Sequence, residues 1–218
     1  MRSSVVKKAV MAATGLLLFG WLFAHMFGNL KIFFGQDSFN HYAEYLREMG
    51  SPLLPATGLL WAVRVGLFVS VVLHIWAATS LTLQNRRARP VGYREIRPVE
   101  LDYAARTMRV SGYLLAVYIV YHLLHLTFGS VHPEFVASDP YSNVVVAFQA
   151  LPISAVYIFA NLLLGLHLYH GLWSLFQSLG WSHAAYNPWR RRFAVTFAVL
   201  VTVGFISVPL AVLAGIVT

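Results

Sequence analysis

Five apolar runs, at about residues 9–30, 58–83, 109–130, 148–180 and 192–216, constrain this chain more than any other feature. Each reaches the ~20 residues that cross the hydrocarbon core of a bilayer as a helix. A mean hydropathy of +0.65 with only 11% charged residues agrees, and the short alternating segments of a membrane barrel are absent. The expected fold is therefore an all-α membrane protein: a single domain over residues 1–218 in which five transmembrane helices form one bundle. The fourth run is longer than a bilayer requires, which predicts a tilted or projecting helix. The start, "MRSSVVKKAVMAATGLLLFGWLFAHMFGNL", opens like a secretory signal, but its apolar run continues too far and no small-residue cleavage site follows. It reads as a retained first span.

Charge gives the orientation. Arg2, Lys7 and Lys8, the seven arginines between Arg86 and Arg109, and Arg190, Arg191 and Arg192 fall on one side, whereas Lys31 and Arg47 fall on the other. By the positive-inside rule the first group is cytoplasmic, so the N-terminus is inside and the C-terminus outside. The formal net charge of +8 is thus explained by orientation and lipid headgroups, without a nucleic-acid partner. Of the outer connections, "DSFNHYAEYLREMG" spaces Phe39, Tyr42 and Leu46 as a short surface helix would, and "SVHPEFVASDPYSNV" is rich in turn formers. No internal repeat or low-complexity segment stands out.

Histidine is costly in a membrane helix and is there a functional hypothesis by default. His25 lies in the first span, His74 in the second, His122 or His125 or both in the third, and His167 with His170 in the fourth. At ~1.5 Å per residue, His25 and His122 share the outer half of the bundle and can face one another. His74, His167 and His170 share the inner half, where a second pair can form. His167, His170, Ser174 and Gln177 make one stripe on the fourth helix, and Ser111, Tyr118, His122 and His125 make another on the third. His41, His132 and His183 fall in loops and are expected to be solvated. The chain has no cysteine, which excludes thiolate-held iron–sulfur clusters and thiolate-bound zinc. Imidazole pairs at two depths suit two haems b, each iron taking one axial imidazole per face, better than zinc, which gathers four ligands at one point. For the carboxylates of such rings, Arg64 stands inside a span at the outer level, and Arg106 and Arg109 stand at the inner mouth of the third helix.

Taken together, "AHMFGNL", "RTMRVSGYLLAVYIVYHLLHLTFG" and "GLHLYHGLWSLFQSLG" resemble the membrane cytochrome b subunit (cytochrome b558 type) of bacterial succinate dehydrogenases and fumarate reductases, over nearly the whole chain. The resemblance implies that His25 and His122 ligate the haem distal from the cytoplasm and that His74 and His167 ligate the proximal one. His167 stands four residues before Gly171, as the family's ligand does before its glycine, so that His170 lines the pocket. It also implies an anchor in the bacterial cytoplasmic membrane for a flavoprotein and an iron–sulfur subunit, passing electrons between them and a quinone, menaquinone in this lineage. The succinate site would lie on the flavoprotein, and this chain would be a non-catalytic electron-transfer subunit. Some dihaem fumarate reductases carry a glutamate two residues before the fourth-helix ligand, where this chain has Gly165. All eight acidic residues lie outside the spans. Glu44 and Glu48, with Arg64, are the candidates near the outer haem for a quinone. The rival readings are a dihaem cytochrome b of a hydrogenase or formate dehydrogenase, a haem-free anchor, and a transporter, for which broken helices or repeats would be the sign.

Overall fold

The computed structural model describes residues 3–88, 101–181 and 183–218, with the side chains of residues 101–106 excepted. Helices alone build it among the described residues: α1 (Ser4–Leu30), α2 (Gln36–Glu48), α3 (Gly58–Ala88), α4 (Leu101–His122), α5 (Pro140–Gln149), α6 (Leu151–Ser178) and α7 (Asn187–Leu213). Five of these runs are long and apolar enough to cross a membrane, which makes the chain a multi-pass membrane protein. They alternate in direction, so α2 and α5 share one end, called here the far end. Lys7, Arg86, Arg109 and Arg190 collect at the other, the basic end.

The expected spans hold with shifted ends. Leading helical turns add residues before the apolar parts of α1, α4 and α7, and α3 runs on through Arg86 and Arg87. The fourth run differs in kind, because what reads as one long helix over 148–180 is two. Ala150 is extended (φ −79°, ψ 109°) and Pro152 sits in the first turn of α6, where its missing N–H leaves nothing unpaired. In an unbroken helix the Pro152 ring would run into the Phe148 carbonyl, and that carbonyl instead accepts the buried Ser154 hydroxyl at 2.7 Å. The expected surface helix is present as α2. The turn-rich connection also ends in a helix, since Asp139 caps α5 by accepting the Ser142 N–H at 3.1 Å. Arg89, Arg94 and Arg97 lie outside the described residues.

α1 packs along α3, α4 along α6, and α7 fills the angle between α6 and α1. Around α7, Ala194, Phe197, Ala198 and Val201 close on Met26, Leu168 and Leu172. Gly165 marks the tightest approach there, since a Cβ on it would overlap the Thr202 hydroxyl of α7. At the far end α5 plugs the bundle, with Tyr141, Val144, Val145 and Phe148 buried against Val208 and Val212. Among the described residues α3 and α4 share no close interface, and one long hydroxyl contact, Thr79 to Tyr113 at 3.4 Å, spans them. Phe68, Val117, Phe159 and Leu200 point outward and exposed, as side chains facing lipid do.

Candidate functional site: paired histidines inside the bundle

The bundle interior holds the span histidines at two levels. Toward the far end, His25 of α1 faces His122 of α4 with ring centroids 6.0 Å apart and planes at 81°. Two imidazoles that share one metal, each ~2 Å from it through a ring nitrogen, hold their centres ~6 Å apart. Trp21 stacks on His25 at 5.6 Å, and Phe205 of α7 closes its other side at 5.8 Å. His122 lies beside Tyr118, and its Nδ1 is 3.5 Å from the Tyr157 hydroxyl.

Toward the basic end lie His74 of α3 and His167 of α6. His74 Nδ1 is 3.2 Å from the Thr14 hydroxyl of α1, and His167 Nδ1 is 3.3 Å from the Ser111 hydroxyl of α4. Each ring also lies on a glycine: a Cβ at Gly15 would come 3.4 Å from His74 Cε1, and one at Gly112 equally close to His167 Cε1. In both histidines Nδ1 is occupied, and Nε2 has no hydrogen bond among the described residues. Among the described residues no three His, Asp or Glu side chains gather as a single protein-held ion would need. A facing imidazole pair with the correct spacing, and a second pair with one nitrogen tied and one free, fit a planar metal cofactor that takes one ligand per face.

His125 and His170 occupy different ground. The π-helical turn over Leu123–Thr127 brings His125, fully buried, under His132, whose ring stacks on it at 5.0 Å. His125 Nδ1 meets the Tyr157 hydroxyl at 3.0 Å, and its buried Nε2 has no partner among the described residues. His132 was expected in solvent, and here the structure corrects the sequence. It is buried, with Nε2 on the Asn143 carbonyl at 2.9 Å and Nδ1 accepting the Glu134 N–H at 3.2 Å. His170 is half-buried and touches Tyr169 at 4.8 Å. The Ser174 hydroxyl is spent on the Gly171 carbonyl at 3.0 Å.

The arginines divide. Arg64 is exposed on α3, its guanidinium 5.1 Å from the Trp61 ring centre. Arg109 lines a cleft of about 390 Å³ between α3 and α4 together with Arg86, Thr79 and Tyr113. The Arg106 side chain lies outside the described residues. Two cations that read as ordinary positive-inside charge are buried instead. Lys7 donates to the Gln84 side chain at 3.2 Å. Arg190 is wedged between α6 and α7, donating to Asn187 Oδ1 at 2.7 Å and to the Trp173 carbonyl at 3.1 Å. The side chains of Glu44 and Glu48, on α2, make no hydrogen bond or ion pair among the described residues.

The family model of the succinate dehydrogenase/fumarate reductase transmembrane subunit matches residues 103–206. That is a little under half the chain, running from α4 into α7 and taking in His122 and His167. The match supports the resemblance carried by the third and fourth spans. No curated protein and no solved structure matches the chain.

Proposed function

We propose that this chain is the membrane anchor and dihaem cytochrome b subunit of a succinate:quinone oxidoreductase. His25 and His122 would hold one haem b through its two faces, and His74 and His167 the other. The single observation that carries the reading is the interior stack of histidine pairs, one at 6.0 Å and one with matched Nδ1 contacts, in a chain whose second half matches the anchor family. Bound haem supplies a one-electron relay whose potential is set by its axial ligands and surroundings.

What the chain's own residues do follows from their placement. The basic end is the cytoplasmic one by the positive-inside rule, and presents the side on which a flavoprotein and an iron–sulfur subunit would dock. The His74–His167 level then lies nearer those partners, and the His25–His122 level nearer the outside of a bacterial cytoplasmic membrane. Lys7, buried beside Gln84, and Arg109 with Arg86 in the α3–α4 cleft put positive charge at the inner level, where haem carboxylates need it. Arg64 is the basic group at the outer level. The apolar lipid-facing walls give a hydrophobic quinone, menaquinone by the resemblance, access from the bilayer. By the resemblance, succinate chemistry belongs to the flavoprotein partner.

The test is a reduced-minus-oxidised spectrum with haem quantitation on the purified complex. Two b-type haems per chain, in a preparation that carries a flavoprotein and an iron–sulfur subunit, are the expected result. A haem-free chain overturns the haem assignment, and co-purification with a hydrogenase or formate dehydrogenase moves the subunit to another enzyme.

A further inference from the structure

The two Nδ1 contacts at the inner level belong to a pattern that runs through the chain. α1 reads "MAATG" over 11–15 and reaches His25 eleven residues after Thr14; α4 reads "MRVSG" over 108–112 and reaches His122 eleven residues after Ser111. The partner helices repeat as well, "LHIW" at 73–76 with Gln84 ten residues after His74, and "LHLY" at 166–169 with Gln177 ten residues after His167. α1 packs on α3 as α4 packs on α6. The sequence therefore does hold a repeat. It is hidden because what recurs is a few polar positions and a glycine among interchangeable apolar residues.

Hydrogen-bond direction gives the repeat a chemical meaning. The Thr14 hydroxyl lies 2.7 Å from the Val10 carbonyl and 3.3 Å from that of Met11; the Ser111 hydroxyl lies 3.1 Å from the Met108 carbonyl. A hydroxyl has one proton, and a carbonyl can only accept. With that proton spent on its own helix, each oxygen is free to accept from the histidine Nδ1–H. Both histidines are thereby held as the tautomer whose bare nitrogen is Nε2. The imidazole lies against the glycine that follows each hydroxyl, where an added Cβ would stand 3.4 Å from the ring.

We propose that Thr14 and Ser111 are positioning residues for His74 and His167, each taking the Nδ1 proton and leaving Nε2 as the ligand nitrogen. The proposal rests on the dihaem reading, and it deepens that reading by naming what orients the inner ligands. An acceptor on the far nitrogen raises ligand basicity, and losing such a partner costs about 10–100-fold in metal affinity. The more basic ligand favours ferric iron. Removing the acceptor therefore raises the potential of the inner haem and leaves the outer one alone.

The experiment is a potentiometric titration, with low-temperature electron paramagnetic resonance of the ferric haems, on the intact complex carrying Thr14→Val, Ser111→Ala and the conservative Thr14→Ser. Wild type is expected to resolve two haems. In Thr14→Val and Ser111→Ala one potential rises by about 59 mV for each tenfold loss of ferric preference, with a changed signal for that haem, while the other stays put. Thr14→Ser stays at wild type. Two haems in wild type with both potentials and both signals unmoved in Ser111→Ala overturn the proposal and leave the dihaem reading standing; a wild type without haem overturns both. Where Thr14→Val does not assemble, Ser111→Ala carries the same test with the smaller change of volume.

Discussion

At the scale of single residues, the structure separates histidines that look alike in sequence. His167 has its Nδ1 on Ser111 and its ring on Gly112, whereas His170 makes a ring contact with its neighbour Tyr169 and no side-chain hydrogen bond among the described residues. Replacing His167 with alanine is expected to remove one of two haems from the purified complex, and His170→Ala to leave both; haem per chain by absorbance reads the difference. Tyr157 was not singled out in sequence, being one aromatic in an apolar run, yet its hydroxyl serves both His122 and His125. Tyr157→Phe strips His125 of the one side-chain hydrogen bond it makes among the described residues, in a fully buried site, and so should cost about 1–3 kcal/mol. A lowered melting temperature of the detergent-solubilised complex measures it. The interior stripe was legible because helical spacing and the rarity of histidine in lipid are sequence properties. The hydroxyl partners and the buried Lys7 were not, because Ser, Thr and terminal lysines are common in such helices, and only the partner helix shows which of them is engaged.

At the scale of elements, two junctions carry more than their length suggests. A glycine at 165 has a steric reason: α6 and α7 meet at Gly165 and Thr202. Gly165→Ala should cost about 1–3 kcal/mol through overpacking, seen as faster thermal inactivation, and Thr202→Ala should relieve part of it. At the far end, Asp139 accepts from the Ser142 hydroxyl at 2.6 Å, from Asn40 at 2.8 Å and from Gln36 at 2.9 Å, tying α2 to the start of α5. Desolvation works against its charge, but the hydrogen bonds from Ser142, Asn40 and Gln36 outweigh it and hold the carboxyl below the usual range. A carboxyl held low contributes stability that is whole above its ordinary value and is lost as pH falls through the depressed one. Asp139→Asn should therefore flatten the acid side of the melting-temperature profile, and Asp139→Ala should cost about 1 kcal/mol at neutral pH through the lost cap. The break between α5 and α6 was within reach of the sequence, since Pro152 marks it. Continuous hydrophobicity on both sides of the proline concealed it.

At the scale of the whole molecule, five spans follow from hydropathy, and the structure has five helices long and apolar enough to cross a membrane. Its assembly does not follow from hydropathy. α3 rests on α1 and, at its start, on α2, whereas α4, α6 and α7 form a group joined to α1 through α7 and α6. With His74 on the outlying helix and His167 in the group, the cofactor proposed between them would be the piece that fastens α3 to the rest. In cells starved of haem, α3 is expected to exchange its amide hydrogens faster than α6, and to slow once haem is restored; equal rates under both conditions would count against this. The thin seam between α3 and α4 would thus become an inspection point in biogenesis: in a chain without the proposed pigment α3 would be held mainly through α1, and quality control in the membrane would have something to recognise.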